Sequence, residues 1–161
     1  MNTIHIDVQR AIDDGPEEPD IRRCIESVLK EESITDEVEL TVRIVDEAEI
    51  TSLNQTYRDK AASTNILSFP FNVPVGLDLS EVMPVRLLGD LIIAADVVKR
   101  EAETQGKTLA AHWAHLLVHG TLHLLGHDHQ DDKEAENMEQ KEIFILNLLG
   151  YKNPYGVEQS T

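Results

Sequence analysis

Residues 4–8 run Ile, His, Ile, Asp, Val, and this period-two alternation predicts a half-buried strand. Gly15, Pro16 and Pro19 interrupt the chain. A helix is expected from near Pro19-Asp20, with Ile21, Cys24, Ile25, Val28 and Leu29 sharing one face. Val38, Leu40, Val42 and Ile44 alternate with Glu39, Thr41 and Arg43 in a second strand. Asp46 and Glu49 have the spacing of a capping box, and Ile50, Leu53 and Tyr57 follow at helical spacing. Residues 65–69 read as a short strand stopped by Pro70. The stretch 71–86 holds Pro74, Gly76 and Pro84 and reads as an irregular loop, and Leu87 to Ala94 as a buried strand. Three helices close the pattern. One runs to about Gln105, one from Thr108 to Leu125 is ended by Gly126, and one capped by Asp131 or Asp132 runs to Leu149.

The resulting order is strand-helix-strand-helix-strand-strand-helix-helix-helix. Not every pair of strands has a helical crossover between them. The expectation is therefore an α+β domain, a small mixed sheet packed with helices, rather than a doubly wound sheet. No repeat or low-complexity linker divides the chain, so residues 1–161 are expected to form a single domain.

Charge narrows the list of partners. A formal net charge of -16 argues, taken alone, against nucleic acid, because phosphate binding depends largely on Lys and Arg. Much of the acid is clustered, at Asp13-Asp14 with Glu17-Glu18 and from Asp131 to Glu142, so a local basic patch elsewhere is still possible. No apolar run approaches about 18 residues, so no membrane span is expected. The N-terminus lacks a basic stretch followed by an apolar one, so no signal peptide is expected. The single cysteine, Cys24, fits a reducing compartment and reads as a small buried hydrophobe.

The chemistry concentrates in one segment, His119-Gly-Thr-Leu-His123-Leu-Leu-Gly126-His127-Asp128-His129. With about 3.6 residues per turn, His119 and His123 project from the same side of a helix. That is half of a tetrahedral zinc site. Gly126 lets the backbone turn left-handed, so the chain can return a third ligand. His129 matches the H-x-x-x-H-x-x-G-x-x-H spacing of the metzincin proteases, and His127 is the rival third ligand. Gly120 stands where those proteases carry the general base Glu, so the pattern keeps a metal site without the peptidase base. Three ligands leave one position open, as in catalytic rather than structural sites. Asp128 is either a partner for a ligand imidazole or a turn residue. His112 and His115 share the helix face but lie a turn or more upstream, and read as packing groups or as partners that orient a ligand. His5 reads as structural.

The segment 119–129 resembles the H-G-x-L-H-L-x-G-Y-D-H signature of the YbeY family, bacterial rRNA maturation factors that are single-strand-specific metallo-endoribonucleases. Tyr57-Arg58-Asp59-Lys60 with Thr64-Asn65-Ile66-Leu67-Ser68-Phe69-Pro70, the Gly89-Asp90-Leu91-Ile92-Ile93 strand and Leu149-Gly150-Tyr151 resemble further family stretches, in the family's order. Two departures stand out. His127 replaces a usual Tyr, and Ala61-Ala62-Ser63 replaces a stretch that is usually acidic and proline-containing. The resemblance implies a zincin-like fold with one Zn2+ ion on His119, His123 and His129. It also implies an essential Arg58, cleavage of single-stranded rRNA or its precursor in 16S 3′-end maturation, association with the ribosome or ribosomal proteins, and a cytoplasmic location.

Arg58 would then offer planar donors to a phosphate, where the residues alone would read as an exposed salt-bridging side chain. Lys60, Lys99, Arg100 and Lys107 are either a phosphate-binding surface or plain solvated charges. Asn65 to Ser68 either line the cleft or form a core strand. Two other functions fit the residues: a metal-dependent hydrolase of another substrate, such as a peptide, and a non-catalytic, metal-stabilised ribosome-assembly factor.

Overall fold

A computed structural model describes residues 3–58, 64–71, 85–127 and 131–155 of the chain. Nine elements follow the expected order: β1 (Ile4–Arg10), α1 (Glu18–Glu31), β2 (Val38–Val45), α2 (Glu47–Arg58), β3 (Ile66–Pro70), β4 (Arg86–Ala94), α3 (Ala95–Gln105), α4 (Leu109–Leu124) and α5 (Asp132–Leu148). The sheet order is β1-β2-β4-β3. β1 and β4 both run parallel to β2, and β3 pairs antiparallel with β4, so the sheet is mixed as expected. β1 extends two residues past its alternating stretch because its ladder with β2 continues to Arg10 opposite Ile44. β3 takes in Pro70, opposite Gly89, as its last residue. Most of the loop expected over 71–86 lies outside the described residues.

Strand alternation divides the apolar residues between two cores. Val38, Leu40, Val42, Ile44, Leu91 and Ile93 face α1, α4 and α5 in the larger one. Val45, Leu67 and Ala94 face the other way, onto Ile50 of α2 and Val97 of α3. α1 shows which force holds its position. Its N-cap, Glu17, makes no side-chain cap, yet Ile21, Cys24, Ile25, Val28 and Leu29 are all buried. A cap is worth about 1 kcal/mol and each buried aliphatic side chain about 1.5–3 kcal/mol, so packing decides. Cys24 is buried as expected, which pushes its thiol pKa up to about 11.

The caps of the other helices are more explicit. Asp46 Oδ1 accepts from the Glu49 amide at 2.9 Å, but the Glu49 carboxylate turns to Arg43 Nε and Nη2, at 3.0 and 2.9 Å. The expected capping box is therefore only half formed, because a charged donor on β2 competes for the Glu49 side chain. Thr108 caps α4 through the Ala111 amide at 3.1 Å, and Asp131, rather than Asp132, caps α5 through the Glu134 amide at 2.8 Å.

α4 packs against α1, α3, α5, β3 and β4. Its approach to the sheet depends on Gly120, where a Cβ would lie 2.8 Å from both Ile66 Cδ1 and Leu91 Cδ2. Gly120→Ala is expected to cost about 1–3 kcal/mol, the usual range for overpacking a tight core. Urea unfolding of the metal-free protein checks it, and an unchanged midpoint would show that the strands yield.

Candidate metal centre

Four histidines form a ladder along one face of α4. Their spacings of three, four and four residues keep them within a narrow arc. Ring centroids are 6.4 Å apart for His112 and His115, 6.2 Å for His115 and His119, and 4.7 Å for His119 and His123. The sequence pairing of His119 with His123 is thus realised in space, with the rings meeting edge to face.

The helix ends as the ligand-return reading requires. Gly126 has φ +101°, a conformation that L side chains rarely adopt. Its N–H bonds to the His123 carbonyl at 3.0 Å, and the His127 N–H reaches back to the Leu122 carbonyl at 3.1 Å. These two bonds make a Schellman turn, which fixes the direction in which the chain leaves α4.

Beneath the ladder lies a residue the sequence reading missed. Glu142 of α5 is fully buried and takes three donors. His119 Nδ1 donates to Oε2 at 2.6 Å, His115 Nε2 donates to Oε1 at 3.0 Å, and the Tyr155 hydroxyl also donates to Oε1. Burial alone would push the carboxyl pKa up. The hydrogen bonds from His115, His119 and Tyr155 outweigh it and hold the pKa at about 2. An ionised carboxylate only accepts, so it sets the tautomer of His119: Nδ1 carries the proton, and Nε2 is the nitrogen that would ligate a metal. A carboxylate behind a ligand imidazole is the usual companion of a metal-binding histidine, so the donor chemistry fits zinc. The signal was present in the sequence. Met138, Glu142, Ile145 and Leu146 occupy the inward positions of α5, and a Glu in that stripe needs a partner. Tyr155 gave no such signal, because it follows the helix without a repeating pattern.

His112 sits deeper. Its Nε2 donates to Glu101 Oε1 at 2.9 Å, and the Asn65 side-chain amide donates to the same oxygen at 3.0 Å. Burial lowers the His112 pKa, only partly offset by Glu101, which favours the neutral ring. This network ties α3 and α4 to the residue that leads into β3. The Nδ1 atoms of His112 and His115 are buried and have no hydrogen-bond partner among the described residues.

The other expected residues divide as follows. His129 and Asp128 lie outside the described residues, as does Lys60, so among the described residues no group of three metal-binding side chains forms. Arg58 is the last residue of α2, and its side chain lies outside the described part. Its neighbour Tyr57 packs edge to face on Phe69 of β3, with ring centroids 5.8 Å apart. Ile66, which meets Gly120, faces the opposite side of the same strand. Arg100 is paired with Glu47, both guanidinium nitrogens at 3.2 Å, and Lys107 is partly buried, which lowers its pKa. His5 is bonded to Glu37 at 2.5 Å, far along the sheet from α4.

Fold and site together define an α+β domain whose central helix presents paired imidazoles backed by a buried carboxylate. The family model for endoribonuclease YbeY matches residues 5–150, and the chain belongs to that family. It is a nuclease family acting on RNA phosphodiesters, and membership supports a role in rRNA processing. The solution structure of TM1509 from Thermotoga maritima has the same fold, with a TM-score of 0.58 at 23% identity over 96% of this chain and 99% of that one. Among the described residues, no helix is long and apolar enough to cross a membrane.

Glu142 contributes to stability with a definite pH dependence. Its folded pKa lies below the ordinary 4.5, so its contribution is complete above that pH and is lost as pH falls toward about 2. Glu142→Gln should destabilise the metal-free protein at pH 7 by about 1–3 kcal/mol, because the amide NH2 replaces one accepting oxygen and meets either His119 or the His115–Tyr155 pair donor to donor. It should also flatten the loss between pH 4.5 and 2. Urea unfolding across this range checks both points, and an unaltered acid limb in the variant would refute the assignment.

Proposed function

We propose that this chain is a zinc-dependent, single-strand-specific endoribonuclease of rRNA processing, including maturation of the 16S 3′ end, acting in the cytoplasm on ribosome-associated substrate. The observation that carries the reading is the His119–His123 pair on α4, with His119 held by the buried Glu142 carboxylate. His129 completes a zincin-like ligand set for one ion. Zinc held by these residues would supply Lewis-acid chemistry for phosphodiester hydrolysis.

The protein residues have separate tasks. Glu142 keeps the His119 proton on Nδ1 and the ring turned toward the site. Arg58 offers a planar pair of donors to phosphate oxygens and opposes the charge that builds up during displacement. Gly120 stands where zincin peptidases carry their general base Glu, and its absence favours RNA over peptide as substrate. The net charge of -16 opposes free RNA at long range, and Arg100 is committed to Glu47, so substrate is delivered by the ribosome or a ribosomal protein.

Three experiments test this reading. Cells carrying His119→Ala should accumulate unprocessed rRNA precursor, read by precursor profiling against wild type; normal precursors would reject a role for the centre. With purified protein, Arg58→Ala should abolish cleavage yet retain ribosome binding. Loss of binding with no cleavage detectable in any form of the protein would instead favour the assembly factor. Zinc affinity should fall as pH drops below about 6.5, since imidazoles bind metal in the neutral form. An affinity that is flat from pH 5 to 8 would contradict the three-histidine set.

A further inference from the structure

Tyr155 turns its polar end inward. The residue keeps 39% of its surface exposed, yet its hydroxyl lies against the fully buried Glu142 carboxylate. Amphipathic aromatic side chains at a surface generally do the reverse, with the ring buried and the polar tip in water. Burial of apolar area alone therefore does not account for its placement. Tyr155 also lies past residues 5–150, the stretch that the family model matches.

The local chain is shaped to deliver that hydroxyl. Gly150, at φ +93°, follows the end of α5, and the Tyr151 N–H closes the turn on the Leu146 carbonyl at 2.9 Å. The Asn153 side chain then accepts from the Tyr155 N–H at 2.8 Å, a second turn that brings residue 155 back alongside its own helix. The phenol ring meets His115 edge to face, with centroids 5.2 Å apart. The His115 Nε2 proton is shared between Glu142 Oε1 at 3.0 Å and the phenol oxygen at 3.1 Å. The hydroxyl proton goes to the same Oε1. Burial and the adjacent carboxylate push the Tyr155 pKa up, so the phenol remains a donor.

The two oxygens of Glu142 are thus held differently. Oε2 accepts from His119, and Oε1 accepts from His115 and Tyr155. His115 and His119 both belong to α4. Without the hydroxyl, the carboxylate would be tied to that helix alone, with one donor on each oxygen among the described residues. Tyr155 adds a donor from outside α4, and the carboxylate cannot turn away from His119 without breaking it.

We infer that Tyr155 is a positioning residue for His119: by pinning Oε1 of Glu142 it holds Oε2 under His119 Nδ1 and so fixes the imidazole that presents Nε2. The inference rests on the reading of His119 as a ligand given above.

The test compares Tyr155→Phe, which keeps the ring and removes only the hydroxyl, with Tyr155→Ala, both in the full chain. In the metal-free protein the His119 Nδ1 proton, bonded to a buried carboxylate, should give a protected downfield NMR resonance. In Tyr155→Phe it should exchange with water about 10-fold faster or more. Zinc affinity, measured by competition with a chromogenic chelator, should fall about 3–10-fold, short of the 10–100-fold usual where the lost group touches the ligand itself. Tyr155→Ala should show defects of the same size, since the hydroxyl carries the effect. Wild-type proton exchange or wild-type affinity in Tyr155→Phe would overturn the inference. A defect confined to Tyr155→Ala would also overturn it and make the residue a packing group, as would a lowered melting temperature in Tyr155→Phe with the His119 proton unchanged. If His119→Ala binds zinc as tightly as wild type, the ligand reading fails and the inference with it. If His119→Ala weakens binding and Tyr155→Phe does not, only the role of Tyr155 fails.

Discussion

The site depends on one buried charge. Glu142 has no access to water, and an ionised carboxylate in that position is tolerated only if its lone pairs are satisfied. Three donors from two separate parts of the chain, α4 and the segment after α5, meet that demand. The same bonds fix the rotamer and tautomer of His119. Stability and site geometry therefore share an interaction: the packing of α5 on α4 requires the carboxylate to be bonded, and the bonded carboxylate orients the imidazole. A histidine pair held this way is organised by the fold itself, which is the general condition for a functional site on rigid elements.

The distribution of charge reinforces this. Among the described residues, several basic side chains are spent within the protein: Arg43 on Glu49, Arg100 on Glu47, Lys141 on Glu32. These pairs stitch strands to helices and helices to one another. With 30 acidic residues against 14 basic ones, the chain gains from counterion release only where individual cations meet phosphates. Such a protein fits recognition of a presented substrate better than capture of free RNA by long-range attraction.

Much of this was legible in the sequence. Helical spacing placed His119 and His123 together, and the glycine after Leu125 marked the turn that ends α4. Period-two alternation located β1 and β2, and the missing helical crossover between some strands pointed to a mixed sheet. Glu142 was not read, although it interrupts an otherwise apolar stripe on α5. Its partners lie at least 13 residues away in the chain, and no local pattern names them. Glu32, which bonds the side chains of His127 and Lys141, was missed for the same reason, with partners 95 and 109 residues distant. The Asp46–Glu49 pair failed in the opposite direction. The local motif was correct in spacing, but Arg43, brought alongside by the fold, took the glutamate. Periodicity reports which face of an element is buried; it does not report which distant side chain a buried polar group will meet.

Position 120 shows how packing and chemistry constrain each other. In the zincin peptidase pattern the residue after the first histidine carries the general base. Here that residue faces the sheet, against Ile66 of β3 and Leu91 of β4, with no space for even a methyl group. A side chain at this position must first displace Ile66 Cδ1 and Leu91 Cδ2, the tips of two flexible side chains. The close approach that glycine permits lets Ile66 and Leu91 pack directly against α4, so the residue that differs from the peptidase pattern also serves the packing of the histidine-bearing helix on the sheet.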